Sequence, residues 1–310
     1  MSEGTAPTSI DEEPSVEPHA GGVTRLLEVV WAAEDVSATM HFLCNGFDFE
    51  VIENDGDQVL LGAPGSDAGR IRVVPAEPPG SPLPQRTSAV WDPGPRLLGI
   101  YSRDLEATMS GLADLGAHTL PVVGYPYGAA QMHEAVARGL DGVWWTIPQV
   151  PEPPMTPQPS PALADPARRH SELHSAVIVA DDHEAAVRFF VEGGGMHVVF
   201  DGVMEGEPFE RLVGLPEGGT LRLAFLVGPD KAPGRLEIMS FPGHPGNSEA
   251  VRGRARQRVG IQRLVLGVRD LEATRARLVS AGATHDETDS RGLVGPSGVR
   301  LVLVEDVVAT

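Results

Sequence analysis

The sequence predicts an α+β protein assembled from four copies of one βαβββ module. Three observations lead there. The segment Arg103-Asp104-Leu105-Glu106-Ala107-Thr108 recurs unchanged at Arg269-Asp270-Leu271-Glu272-Ala273-Thr274, and matches continue at the same offset with Leu112/Leu278, Gly116/Gly282 and Ala117/Ala283. Identity of that length within one chain marks an internal repeat. Four apolar runs each lead into an acidic turn. A stretch dense in proline divides the chain into two similar halves.

Each module begins with an apolar strand: Leu26–Ala32, Leu97–Tyr101, His174–Val179 and Gln262–Val268. An aspartate follows in every case (Asp35, Asp104, Asp182, Asp270), the residue type whose carboxylate accepts from the free N–H groups of a helix start. A helix of about three turns comes next. A glycine stands near its end (Gly46, Gly116, Gly194, Gly282), where a left-handed residue is favoured. Short strands bounded by turn residues complete the unit, among them Gln58–Gly62, Arg70–Pro75, Leu221–Val227, Arg235–Phe241 and Arg300–Glu305. Residues 1–21 are polar and acidic and are expected to be a disordered tail. Pro148, Pro151, Pro153, Pro154, Pro157, Pro159, Pro161 and Pro166 make residues 148–170 an extended linker. Residues 22–147 and 171–310 are then the two domains.

The chain carries 43 acidic and 24 basic residues, a formal net charge of -19. That balance argues against a nucleic-acid partner, which needs a clustered positive field. The one basic run, Arg252 to Arg258, reads as a solvated turn or helix face. No stretch approaches the ~20 apolar residues of a membrane-spanning helix, and the N-terminus has no secretory apolar region. A cytoplasmic protein, monomer or homodimer, acting on a small molecule is expected. The single cysteine, Cys44, cannot form an internal disulfide and reads as a buried helix-end residue.

The repeated module resembles that of the vicinal oxygen chelate (glyoxalase/bleomycin resistance/extradiol dioxygenase) superfamily, from about Val23 to Val307. The resemblance implies that modules pair into open barrels around a cavity, with modules one and two in one barrel and three and four in the other. It also implies metal-ligand slots at the start of the first strand and in the last strand of each module. Counting back eight residues from the capping aspartate finds His174 and Gln262, and the Gly-x-apolar-x pattern of the last strand finds Glu237 and Val302. His174, Glu237 and Gln262 are thus the candidate metal ligands. Imidazole, carboxylate and amide oxygen suit Mg, Mn, Co, Ni or Zn, with Fe(II) ranked after them. The same procedure in the first half gives Leu27, Arg96, Arg72 and Thr146, a degenerate set, with Arg72 and Arg96 as an alternative anion site. Glu28, one residue out of frame, should face the other way.

Candidate general bases are Glu210, in the charged loop 204–211, His197 and His244. Tyr125, Tyr127, Trp144 and Trp145 are expected to fill the first-half core or the interface between the halves. No phosphate-binding glycine motif is present. The resemblance implies three activities: a metal-dependent isomerase, epimerase or lyase acting through an enolate-type intermediate, which Gln262 favours; an extradiol-type dioxygenase; or a metal-free protein that binds or sequesters a small molecule.

Overall fold

A computed structural model describes residues 22–76, 89–127, 130–150, 160–244 and 259–306. The acidic tail, the run Arg252–Arg258 and the prolines from Pro151 to Pro159 lie outside the described residues. No described helix is long and apolar enough to cross a membrane.

Four modules are present. The first contains β1 (Val23–Ala33), α1 (Val36–Phe47), β2 (Glu50–Asn54), β3 (Val59–Gly62) and β4 (Arg70–Pro75). The second contains β5 (Gly94–Gly99), α2 (Leu105–Asp114), β6 (His118–Thr119), β7 (Val123–Tyr127), β8 (Ala130–Arg138) and β9 (Trp144–Pro148). The third contains β10 (Ser175–Val179), α3 (His183–Arg188) continued by a π turn, β11 (His197–Glu205), α4 (Glu207–Val213), β12 (Thr220–Val227) and β13 (Arg235–Ser240). The fourth contains β14 (Gly260–Val268), α5 (Leu271–Ser280), β15 (Thr284–His285), β16 (Gly292–Val294) and β17 (Arg300–Glu305).

The four aspartates do cap their helices. Asp35, Asp104, Asp182 and Asp270 each accept from the backbone N–H three residues on, at 2.9–3.0 Å. The helix ends are less uniform. Gly116 and Gly282 are left-handed, but Gly46 lies inside α1, whose left-handed residue is Asp48, and in module three that role falls to Gly195 rather than Gly194. The charged stretch expected as a loop, 204–211, instead ends β11 and forms most of α4.

Module pairing differs from the expectation. The eight-stranded sheet runs β15-β16-β17-β14-β1-β4-β3-β2, joining modules four and one. The nine-stranded sheet runs β11-β12-β13-β10-β5-β9-β8-β6, with β7 on β8, joining modules three and two. Antiparallel pairs β1/β14 and β5/β10 make the joints. Each half of the chain therefore gives one module to each sheet. Strand count and local pattern are the same for either pairing, so only long-range contacts choose between them.

Two reciprocal contacts hold the halves in this arrangement. Gly69, just before β4, lies so close to Leu173 that an added Cβ would stand 2.1 Å from its carbonyl oxygen. Gly234, just before β13, meets Leu26 in the same way, at 2.5 Å, and its carbonyl accepts from the Leu26 N–H at 2.7 Å. Both glycines have positive φ, 62° and 93°. The sequence motif read as a strand start is thus also where the two halves touch backbone to backbone.

The main core lies between the sheets and helices and draws on all four modules, with Trp31, Phe42, Phe47, Trp145 and Phe190 fully buried. Burial of so many large apolar side chains supplies most of the driving force. Cys44 is half-buried against this core, and burial raises its thiol pKa. A second apolar cluster covers the opposite face of the nine-stranded sheet and includes Leu97, Tyr125, Trp144, Val177, Phe209 and Leu223.

Candidate functional site

Strand alternation builds the site on that second face. On β13, Leu236 and Ile238 enter the main core, so Arg235, Glu237 and Met239 face the other way. On β8, Ala135 and Ala137 take the core face while Met132, Glu134 and Val136 take the other, and on β9 Thr146 joins them. His174 enters from the residue before β10. Tyr101 and Tyr125, and Leu212 and Val213 of α4, complete the lining. The enclosed space is about 60 Å³, room for a few waters.

The polar groups form two sets. In the first, the Arg235 guanidinium donates from Nε and Nη2 to Glu237 Oε1, both at 2.8 Å. Its Nη2 also stands 3.4 Å from His174 Nε2, and it hydrogen-bonds the Tyr101 hydroxyl. The guanidinium lies 4.1 Å above the Phe225 ring, and Tyr101 packs on the His174 imidazole with centroids 4.2 Å apart. Arg235, Glu237 and His174 are each no more than 4% exposed. Burial, reinforced by the Arg235 charge, holds the His174 pKa well below its ordinary value, so the ring is neutral at pH 7. A guanidinium can only donate, so His174 Nε2 is the acceptor and Nδ1 carries the proton. For Arg235, burial works against the charge but Glu237 and Tyr101 outweigh it, and the cation is retained.

In the second set, Glu134 accepts one hydrogen bond on each oxygen, from Tyr125 Oη on Oε2 and from Thr146 Oγ1 on Oε1. Burial raises its pKa, Thr146 and Tyr125 oppose that, and the nearby Glu237 charge adds to it. The side chain is nonetheless only half-buried and lines the cavity, which makes it the least covered charged-type group there.

His174 and Glu237 are brought together, with Nε2 and Oε1 3.9 Å apart. Gln262 is not with them. It lies on β14 in the other sheet, half-buried, and its amide donates to Gly260 O at 3.3 Å. The three expected metal ligands therefore do not converge, because the slots of modules three and four belong to different sheets. Nor do the residues present fit a divalent ion between His174 and Glu237. The Arg235 guanidinium already neutralises that carboxylate and faces that imidazole, and a metal ion would meet its charge at close range. Among the described residues no group of three or more His, Cys, Asp or Glu side chains is arranged to hold a metal.

The other candidates fall outside the cavity. Glu210, on α4, accepts from the Gly218 N–H at 2.8 Å. His197 begins the edge strand β11. His244 lines a separate surface cleft beside Trp91. Arg72 binds Glu28 at 2.8 Å, so these two share a face of the eight-stranded sheet, because β1 carries a register shift between Leu26 and Glu28. Arg96 lies in the other sheet and donates to the carbonyls of Asp92 and Pro93. Burial lowers its pKa to about 10. Arg72 and Arg96 thus cannot act on one anion. Trp145 does fill the main core, whereas Trp144 and Tyr125 face the cavity side; the Tyr127 side chain lies outside the described residues.

Sequence reasoning missed Arg235, Glu134 and the partnership of Thr146 with Glu134. Two of these left a signal. Arg235 is two residues from Glu237 on one strand, and Glu134 alternates in register with Met132 and Val136, a charged residue in an apolar row.

Comparison with known proteins agrees with this architecture. No curated protein sequence matches the chain. In fold, glyoxalase I from Zea mays superposes with a TM-score of 0.58 at 14% identity, covering 91% of this chain and 92% of that one. A Bacillus subtilis protein provisionally called a dioxygenase superposes with a TM-score of 0.59 at 10% identity, covering 93% and 86%. A sequence model of the Glyoxalase/Bleomycin resistance protein/Dioxygenase superfamily matches residues 172–302, which begin just before β10 and end within β17. Residues 172–302 are thus similar to the glyoxalase/bleomycin resistance/dioxygenase superfamily, and the chain shares the fold of glyoxalase I.

Proposed function

We propose that this chain binds a small, largely apolar molecule in the cavity of the nine-stranded sheet, and does so without a metal ion. One observation carries the reading: Arg235, bonded to Glu237 and facing His174, supplies the positive charge at the position between them. Its side chain is fixed by the ion pair, by the Tyr101 hydroxyl and by the Phe225 ring. The apolar wall supports an apolar ligand body, and the few convergent polar groups would orient it, the usual composition of a small-molecule site.

Metal analysis of protein purified without chelator, combined with thermal-shift screening of small molecules, tests this. The expected result is no stoichiometric divalent metal, with stabilisation by apolar ligands that is lost when Val136→Trp fills the cavity. One equivalent of Mg, Mn, Co, Ni, Zn or Fe(II), released by His174→Ala or Glu237→Gln, would overturn it. That outcome would favour a metal-dependent lyase or isomerase, or with Fe(II) and a catechol-dependent colour change a ring-cleaving dioxygenase.

A further inference from the structure

Resting on that binding reading, we infer that the cavity selects uncharged ligands carrying a hydroxyl or carbonyl oxygen, and that Glu134 is the residue that receives that oxygen. Two opposite charges facing the cavity cancel. Arg235 and Glu237 neutralise one another in direct contact, and each is nearly fully covered. His174 is a neutral ring that accepts from Arg235. The other polar groups of the wall are the hydroxyls of Tyr101, Tyr125 and Thr146 and the Glu134 carboxyl, with hydrocarbon and aromatic surface around them.

An anionic ligand would have to draw Arg235 away from Glu237 and leave that carboxylate buried without a partner. A cationic ligand would enter beside the Arg235 guanidinium, which already lines the wall. Either charge would disturb, or be set against, a buried ion pair that is already compensated. A neutral ligand meets no such penalty.

Glu134 is suited to the oxygen by position. It projects from mid-strand in an apolar row, and Tyr125 and Thr146 hold its two oxygens from either side. Of the four groups Arg235, Glu237, His174 and Glu134, it alone retains substantial accessible surface. A carboxyl oxygen accepts from an alcohol or a phenol, and a protonated carboxyl also donates to a carbonyl.

The test uses three probes of one size and shape, benzyl alcohol, benzoate and benzylammonium, titrated into the full chain at pH 7 with ligand-observed NMR. Benzyl alcohol should bind at least ~10-fold more tightly than either charged probe. Glu134→Gln, neutral and similar in shape, should keep benzyl alcohol affinity within ~3-fold, while Glu134→Leu should weaken it at least ~10-fold. Preference for benzoate or benzylammonium, or equal weakening by the Gln and Leu variants, would overturn the inference and leave the binding reading intact. Failure of all three probes to bind, with no change on Val136→Trp, would overturn both.

Discussion

Arg235 Nε and Nη2 both lie 2.8 Å from Glu237 Oε1, two residues apart on one strand and on one face of it. This contact sets the chemistry of the cavity, because it places a cation, already compensated, beside the His174 ring.

Breaking the pair from one side strands a buried charge. Arg235→Met should cost about 3–5 kcal/mol of unfolding free energy in urea titrations, since Glu237 then lacks a partner. The double change Arg235→Met/Glu237→Leu should recover most of that loss. A double variant as unstable as the single one would show that the two residues do not act as a pair.

Glu134 and His174 give opposite pH dependences. Burial raises the Glu134 pKa in the fold, against the opposing bonds from Thr146 and Tyr125 and with help from Glu237, while the positive Arg235 moderates it. The folded protein then holds a proton that the unfolded chain has released, so its contribution is full below about pH 4.5 and is lost as pH rises through the folded value. Burial, aided by Arg235, lowers the His174 pKa, so its contribution is full above about pH 6.5 and is lost as pH falls. Melting temperatures between pH 5 and 8 should accordingly show Glu134→Gln gaining on the parent protein as pH rises. A constant difference across that range would contradict the assignment.

Because modules one and four share a sheet, as do two and three, neither half is expected to fold alone. Residues 22–150 and 160–306 made separately should each lack cooperative unfolding in circular dichroism, whereas coexpression should restore one complex. Independent cooperative melting of either half would refute the interlaced arrangement.

The glycine contacts between the halves should be intolerant of side chains. Gly69→Ala and Gly234→Ala each force a Cβ onto a backbone carbonyl at a positive-φ position. The backbone conformation alone should cost about 1–3 kcal/mol by chemical denaturation, with the clash added. Gly56→Ala, also at positive φ but with nothing within 4 Å, separates the two effects and should cost less.

Gln262 offers a control on the site itself. Gln262→Ala should leave ligand binding in the nine-stranded sheet unchanged within ~2-fold, as expected of a residue beyond the reach of its contacts. Calorimetric titration beside Glu134→Leu makes the comparison.

Local interactions wrote the module into the sequence. An aspartate that caps a helix does so through an N–H three residues away, and a strand's alternation depends only on its own neighbours, so the four caps and the strand and helix that open each module could be read from spacing alone. His174 and Glu237 were found for the same reason, since both belong to one module. Which modules share a sheet depends on contacts between residues far apart in the chain, such as Gly69 with Leu173 and Gly234 with Leu26, and that choice sent Gln262 to one sheet and brought Glu134 and Thr146 to the other. The tertiary structure also decided what stands between His174 and Glu237. Arg235 is two residues from the predicted slot, but only a folded sheet with Phe225 beneath it and Tyr101 beside it makes its side chain turn inward and hold the carboxylate.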